Sequence, residues 1–523
     1  MNRRGFLASA LALGAGLAFR VRADGLPETL PEPALPEAWD EIDHNAVVHR
    51  VRDGEALPRR AQPEAEHAVV IVGGGISGLT ALSELPAGTD ALLLEKEAET
   101  GGHSRRRRIR GVWCPLGALV SQGPIAPFTS RLNALGVAFR PLPVPGLAWR
   151  IGGQLCEEPL GAGIDALPLP AAERAAFRAA ADELAGYRDP AAGIFFPRSD
   201  NRPEIRALDR ITLHEHVAQR GWPESLRRLL DGLLAVRIGE DGREVSAWTA
   251  LWLLSAIGGR NYSFAGGHGA LGEKLAARAL AGRPAGTLRS GWTVTALTPQ
   301  PAGGVRIDAL DADGAPRCVT AATVVLAAPK VYARKLLAPL AAERPGVYES
   351  FRYNAYLLAQ VSLAHPVGRC FETLVSEPTP RMYVAADRLD PEAGGRGHVT
   401  IYIPLAGSAG RARLLSAHPR ALAAELLTGL YETFPDARGA VEEIRLQRWG
   451  HPLVSPRPGM DATLAAAREP WGDIVFAHSD TFGVSGLYSA LWTGIDAAAE
   501  VQVRLLARQT PTRNEEHAHV QVA

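Results

Sequence analysis

Three glycines, Gly73, Gly75 and Gly78, stand in the stretch VVIVGGGISGLTALSEL at 69–85 with the spacing G-x-G-x-x-G. Between an apolar strand and a helix, each has its own task. The first permits a tight turn, the second lets a pyrophosphate approach the backbone, and the third lets helix pack on strand. Ile76 and Ser77 open that helix, whose N-terminal amides face the phosphates. Glu95 ends the next strand, in DALLLEKE at 90–97, where a carboxylate accepts ribose hydroxyls and disfavours a 2′-phosphate, and with it NADP; Lys96 follows it. This is chemistry for a dinucleotide, and the glycines alone leave NAD and FAD open.

The elements that must carry these residues are readable nearby. HAVVIV from 67 is a continuous apolar strand, residues 76–85 are helical, and 90–97 is a second strand, which makes a βαβ start and an α/β chain. Helical patterns dominate 165–260, with AAERAAFRAAADELAGY and WPESLRRLLDGLLAVRIG separated by Pro and Gly. Alternating strands follow in TVTALTPQ, GVRIDALDADG and TAATVVLAAP. A mixed segment at 350–445 holds the strands NAYLLAQVSL and HVTIYIPL and the helix PRALAAELLTGLYETF, before a last strand, DIVFAHSD, and a long C-terminal helix. Two halves therefore interleave along the chain.

The bulk numbers limit what such a chain does. Its 523 residues, 46% of them hydrophobic, can bury a large core in two or three domains. The 56 basic and 56 acidic residues cancel, so no global field recruits nucleic acid or an anionic membrane. Only four of the basic residues are lysines, Lys96, Lys274, Lys330 and Lys335. The four cysteines, Cys114, Cys156, Cys318 and Cys370, show no C-x-x-C spacing, so we expect no metal site and free, buried thiols. His214 and His216 read as helix-surface histidines, and Arg105–Arg108 as a basic loop near the cofactor phosphates or simply a solvated surface. At the amino terminus, Arg3-Arg4 precedes an apolar run, Phe6–Phe19, that is too short to span a bilayer. NRRGFL resembles a twin-arginine export signal with cleavage after Ala23, which predicts a folded, cofactor-loaded protein delivered to the periplasm or beyond by the twin-arginine machinery, with no membrane span in the mature chain.

The segment after Glu95 decides between the dinucleotides. EKEAETGGHSRRRR places the pair Gly101-Gly102 just beyond it, followed by His103 and Ser104. This resembles the flavin-containing amine oxidase superfamily, which includes protoporphyrinogen oxidase and the carotenoid desaturases. In that group a G-G-R/H-x motif follows the ribose acid and passes near the flavin phosphates. GGHGALGEKLA at 266–276 resembles the family's G-G-x-x-x-L segment, Val294 stands where a strand residue meets adenine, and VVLAAP, with Ala328, resembles its flavin-side strand. RWGHPLVSPRPG at 448–459, with Trp449, resembles its R-W…P-G stretch. IVFAHSDTFGVSGLYSALWTGIDAA resembles the terminal flavin motif, with Asp480 in place of the acid that holds ribitol or pyrophosphate, and Gly486, Leu487 and Tyr488 at the flavin edge.

The resemblance spans about 67–508 and implies a Rossmann-like FAD-binding domain interleaved with an α+β substrate domain. The expected boundaries are a signal peptide at 1–23, a Pro-rich linker or arm at 24–66, FAD-binding parts at 67–150, 263–349 and 446–508, substrate-domain parts at 151–262 and 350–445, and a disordered tail at 509–523. It implies FAD, held non-covalently because no cysteine lies in 448–459, where His451 is the one plausible tether. It also implies hydride transfer from a small-molecule substrate to flavin, with oxygen or a periplasmic carrier as acceptor. Many amine-oxidising members carry a lysine that holds a water near flavin N5 shortly after the A-x-P strand end, where Lys335 stands, and on that ground we expect Lys335 to be catalytic and interior. Leu487, not tyrosine, follows Ser485-Gly486, which departs from the aromatic cage of the amine oxidases. A C–C dehydrogenase or isomerase, and a flavin-bearing assembly protein without turnover, are the alternatives.

Overall fold

Strand Ala65–Val72 disappears into the interior over its last four residues, and Ala91–Glu95 is buried throughout. Each has one face in a core with helices Ile76–Glu84, Gly267–Leu280 and Leu487–Gln509 and the other in a core with strands Thr293–Pro299 and Val305–Leu310 and helix Lys330–Leu336, which is why they read as unbroken apolar runs rather than alternating ones. The computed structural model describes residues 33–40, 45–123, 128–188, 202–257 and 261–509. The expected leader at 1–23 and the tail beyond 509 lie outside them.

A seven-stranded sheet runs in the order Leu288–Ser290, Ala91–Glu95, Ala65–Val72, Pro316–Leu326, Val305–Leu310, Thr293–Pro299, with Ile474–Phe476 paired to Pro316–Leu326 as well. Its parallel members are in level register: Val72 faces Leu94 and Leu326, and Leu326 faces Phe476. Their carboxyl ends therefore open on one edge, and Gly73, Glu95, Ala327 and Ala477 stand side by side there. In open α/β sheets that edge is where ligands bind. Helix Ile76–Glu84 leaves it, and the C-terminal helix Leu487–Gln509 packs against that first helix, with Thr493 Oγ1 at 3.2 Å from Ser77 Oγ.

The second sheet, also of seven strands, is ordered Val441–Val454, Tyr353–Leu363, Gly397–Leu405, Arg381–Ala385, Glu372–Val375, Leu147–Ile151, Gln154–Glu157. All its pairs are antiparallel except Glu372–Val375 with Leu147–Ile151. Helix Pro419–Thr433 packs Leu422, Leu426 and Leu430 into one core with this sheet. The helices between Ala171 and Ser255 share another with Leu374, Met382 and Val384.

The structure corrects several expectations. The boundary at 150 falls inside Leu147–Ile151, and that at 445 inside Val441–Val454, so both strands belong wholly to the second sheet. The arm at 24–66 contains a helix, Ala46–Asp53, which buries no residue completely but packs Val51 against the same core that Trp292 and Tyr332 cover and ends at Gly54 in a left-handed C-cap. Arg105–Arg108 is not a loop, although Arg108 is exposed. Arg106–Ile109 is a strand, and each guanidinium has a partner: Arg105 Nε donates to Gly102 O at 2.9 Å, Arg106 Nε to Glu273 at 2.8 Å and Arg107 Nη1 to Asp40 at 2.6 Å, while Arg108 pairs with Glu392 at 3.5 Å. His216 is buried against Glu183, and His214 is bonded to Asp231. The four thiols are free and buried.

Candidate active site

At the open edge of the first sheet the backbone itself builds a cradle. Gly73 has φ +109°, and a methyl there would stand 2.6 Å from Ala327 O. Gly78 is tighter still: its methyl would meet Gly73 O at 1.9 Å, so it sits behind the cradle and lets helix approach strand without touching a ligand. Gly75, at the start of the helix, has only Gly102 Cα within 4 Å of where its Cβ would be, at 3.9 Å, and faces open space. Glu95 closes one side. Its two oxygens accept the amides of Gly74 at 2.7 Å and Glu97 at 2.8 Å, while burial raises its pKa. The amides fix the carboxylate at the cavity wall, with further lone pairs for hydroxyl donors.

This cradle is one end of a cavity of about 680 Å³. Gly73, Gly75, Ile76, Ser77, Glu95, Lys96, Gly101, Gly102, His103, Ser104, Val294, Ala328, Trp449, Gly486, Leu487 and Tyr488 all line it. Segments far apart in sequence thus converge on one space. The turn Gly101–Ser104 is held by helix Gly267–Leu280, whose Gly272 would place a methyl 2.3 Å from Ser104 O and whose Gly269 would place one 2.4 Å from Arg106 Cβ. His103 is neutral, burial pushing its pKa down to about 3, and meets Trp449 edge to face at 4.5 Å. Trp449 donates its indole N–H to Leu116 O at 3.0 Å, which fixes the ring at the wall. His451 is also driven down to about 3 by burial and by the neighbouring Arg411, whose guanidinium donates to its Nε2.

Two of the expected site residues are placed differently. Lys335 is exposed, on helix Lys330–Leu336 at the cavity rim, where Asp53 feels its charge. The interior lysine is Lys330, one residue past Pro329, where the helix turns its first side chain back under the sheet; it is fully buried. Asp480 does not face the cavity either. It is fully buried, its Oδ2 accepts the Lys330 amide at 2.7 Å and the Tyr353 hydroxyl, and its Oδ1 lies 3.6 Å from Lys330 Nζ. The neighbours that line the cavity in its stead are His478 and Ser479.

The far end of the cavity belongs to the second sheet and its helices, and sequence reading missed its residues. Ile238, Trp252, Leu253, Leu358, Met382 and Val384 make an apolar wall. Tyr356 and Tyr402 add rings whose hydroxyls are already spent on Ala235 O at 2.6 Å and Gly117 O at 3.0 Å. The one ion pair in this wall among the described residues is Arg237 with Glu372, at 2.8 Å. Strand parity could have found the tyrosines, since side chains two apart share a face and Tyr356 and Leu358 both line the cavity. Nothing in sequence announces the Arg237–Glu372 pair, whose members are joined only by the fold.

An extended ligand fits this shape, with a phosphate-accepting cradle and a ribose-accepting carboxylate at one end and a separate apolar chamber at the other. Residues 76–502 match the family described as flavin containing amine oxidoreductase. Oxidoreductase PigB of Serratia sp. (strain ATCC 39006) is 26% identical over 515 residues, covering 84% of this chain and 76% of that protein. Among solved structures, cyclohexylamine oxidase from Brevibacterium oxydans IH-35A is similar at TM-score 0.66 and 20% identity, over 84% of this chain and 99% of that one. A putative protoporphyrinogen oxidase from Exiguobacterium sp. 255-15 is similar at TM-score 0.62 and 17% identity, over 85% and 100% of the two chains. At such identities the structural likeness shows a shared fold.

Proposed function

The chain belongs to the flavin containing amine oxidoreductase family, and from that premise we propose that it oxidises a small amine outside the cytoplasm. FAD is the cofactor and, when bound, supplies the hydride acceptor. In this reading Gly73, Gly75 and the first turn of Ile76–Glu84 hold the diphosphate, Glu95 the ribose, and Val294 the adenine side. Trp449 and the segment Gly486–Tyr488 border the ring.

The observation that carries the amine reading is the apolar chamber beyond the cradle. An amine is charged in water, and leaving water for a wall of Ile238, Trp252, Leu358 and Met382 disfavours the ammonium. The neutral form has the lone pair that must be free as hydride leaves the adjacent carbon. Arg237 and Glu372 cancel each other's charge and leave a polar point against which one end of a substrate can be oriented. Tyr356 and Tyr402, their hydroxyls tied down, contribute rings and exclude water. Anaerobic mixing with a panel of primary and secondary amines tests this: at least one should bleach the flavin absorbance and yield an aldehyde or ketone. A panel that leaves the flavin oxidised would count against it.

One observation favours the second reading, hydride removal from a C–C bond of an apolar cyclic substrate. Lys335 is exposed, so the lysine-held water of many amine-oxidising relatives has no interior lysine at that position. Bleaching by a cyclic unsaturated substrate and by no amine would decide for it. Export rests on Arg3-Arg4 and the apolar run after them. Replacing both arginines by lysine is expected to leave yellow protein in the cytoplasm, and unchanged export would remove the twin-arginine reading. Oxygen or a periplasmic carrier then takes the electrons.

A further inference from the structure

Helix Ala46–Asp53 lies ahead of residues 76–502, the stretch that the family match covers, yet it forms a wall of the same cavity. Asn45, Val48, His49 and Arg52 all line the space, and their spacing of i, i+3, i+4 and i+7 is one face of a helix. The arm holds this face in place from both sides. Before the helix, the Asp40 amide donates to Leu446 O at 2.9 Å, the Asp40 carboxylate accepts Arg107 Nη1 at 2.6 Å, and the Arg448 guanidinium lies 4.5 Å from the centre of the Trp39 ring. After it, Arg59 Nε donates to Asp308 at 3.1 Å and the Glu64 amide to Cys318 O at 2.8 Å. Leu446 and Arg448 belong to the second sheet, Asp308 and Cys318 to the first, so the arm carries its helix from one sheet to the other.

What this face meets is positive. The charges of Arg411, Arg52 and Arg334 all act on His451, which lines the cavity two residues beyond Trp449. Arg411 is spent on His451 Nε2 and on Tyr353 O, and Arg52 gives Nε and Nη2 to Asp53, each at 2.7 Å. Arg334 is different. It lines the cavity, makes no ion pair among the described residues, and its Nε is shut away from water with no hydrogen-bond partner. A guanidinium is charged at any working pH, and a donor sealed off without an acceptor is costly, so the partner that suits Arg334 is an acceptor brought by a ligand. The acids of the cavity wall are engaged elsewhere: Glu95 takes the amides of Gly74 and Glu97, Glu97 pairs with Lys96, and Glu372 pairs with Arg237. We propose that Arg334 and the arm's Arg52 form an anion subsite at the mouth of the cavity, which takes the carboxylate of an amphipathic substrate whose apolar body lies in the chamber. The planar fork of a guanidinium matches two carboxylate oxygens, and the remaining Nη1 of Arg52 adds a second donor from the arm.

The inference rests on the reading of this cavity as the substrate site and is independent of which bond is oxidised. The test is calorimetric titration of the holoenzyme with benzoate, an apolar ring bearing a carboxylate, and with benzamide, its uncharged counterpart of the same shape. Benzoate should bind at least about tenfold more tightly than benzamide, the effect of a hydrogen bond between charged groups. Arg334→Met should remove that preference, and Arg334→Lys, which keeps the charge but not the fork, should restore part of it. Arg52→Gln, on the exposed arm helix and therefore safe for folding, should reduce the preference by about threefold, as expected of a charge at a rim. Equal binding of the two probes by the wild type would overturn the proposal. So would an Arg334→Met protein that still prefers benzoate, or an Arg52→Gln protein with the full wild-type preference. A colourless wild type that binds benzoate through Arg334 would fail the flavin reading and leave the anion subsite standing.

Discussion

Lys330 and Lys335 lie five positions apart on one short helix, yet one is sealed in the interior against Asp480 and the other is solvated. Sequence placed the chemistry on Lys335 from its distance past Pro329. That distance fixes a position along the chain, whereas a helix also fixes a direction, and a step of five residues turns a side chain well away from its starting face. Removing one member of a buried ion pair leaves the other uncompensated, a loss of about 3 kcal/mol or more. Lys330→Met should therefore lower the urea midpoint strongly, and Lys335→Met should stay within about 0.5 kcal/mol of the parent, as surface changes do. Equal midpoints for the two variants would contradict the burial of Lys330. Asp480 teaches the same lesson: its motif was legible, but whether it faced the cavity depended on Lys330 and Tyr353, which no local pattern brings together.

Among the elements, the glycine-marked ones were legible and those made by tertiary contact were not. The turn at Gly73–Gly78 declares itself because only glycine fits where a methyl would enter a carbonyl. Gly266, Gly269 and Gly272, one turn apart on Gly267–Leu280 and its cap, extend that logic: they let a helix lie on Ser104 and Arg106, and so set the turn that borders the cradle. Gly272→Ala is expected to displace that turn and lower FAD content in purified protein, measured as flavin absorbance per chain. Gly88→Ala, where a methyl meets nothing within 4 Å, should keep full content. Equal flavin loading in both would show that the helix does not set the turn. By contrast, Ala46–Asp53 has no side-chain cap and no fully buried residue, so its two turns exist through contact with the helix Lys330–Leu336 and the strand Thr293–Pro299. The strand Val441–Val454 hid for a similar reason. Its burial alternates poorly along its length, and its place is set by pairing with Tyr353–Leu363.

Across the molecule, folding seals several histidines in neutral form, and this gives the whole chain an acid limit separate from its carboxylates. His398 is the cleanest case. It lies in the second sheet away from the cradle, its Nε2 bonded to Gln360 Oε1 at 2.8 Å, with burial pushing its pKa down to about 3. His103 is driven as low by burial at the cavity, and His268 to about 4. The unfolded chain takes up these protons near pH 6.5 while the folded chain refuses them until far lower, so it is the unfolded state that binds more protons in between. Stability is therefore complete above pH 6.5 and drains as pH falls, by about 1.4 kcal/mol per pH unit for each such histidine, or about 2 kcal/mol each by pH 5. Carboxylates with lowered values, such as Asp480 and Asp308, contribute in the opposite range: their stabilisation is present above their unfolded values near 4 and fades only below them. Carboxylates that burial raises, such as Glu95 and Asp387, act in the opposite sense to the histidines as pH falls from 6.5 to 5, so the share of one histidine is read from the difference between parent and variant. Urea titrations at pH 7 and pH 5 should show this loss in the parent, and His398→Gln, which keeps an N–H for Gln360 but takes up no proton, should show about 2 kcal/mol less of it. An identical loss in parent and variant would mean that His398 is already charged, or already reached by water, in the folded protein.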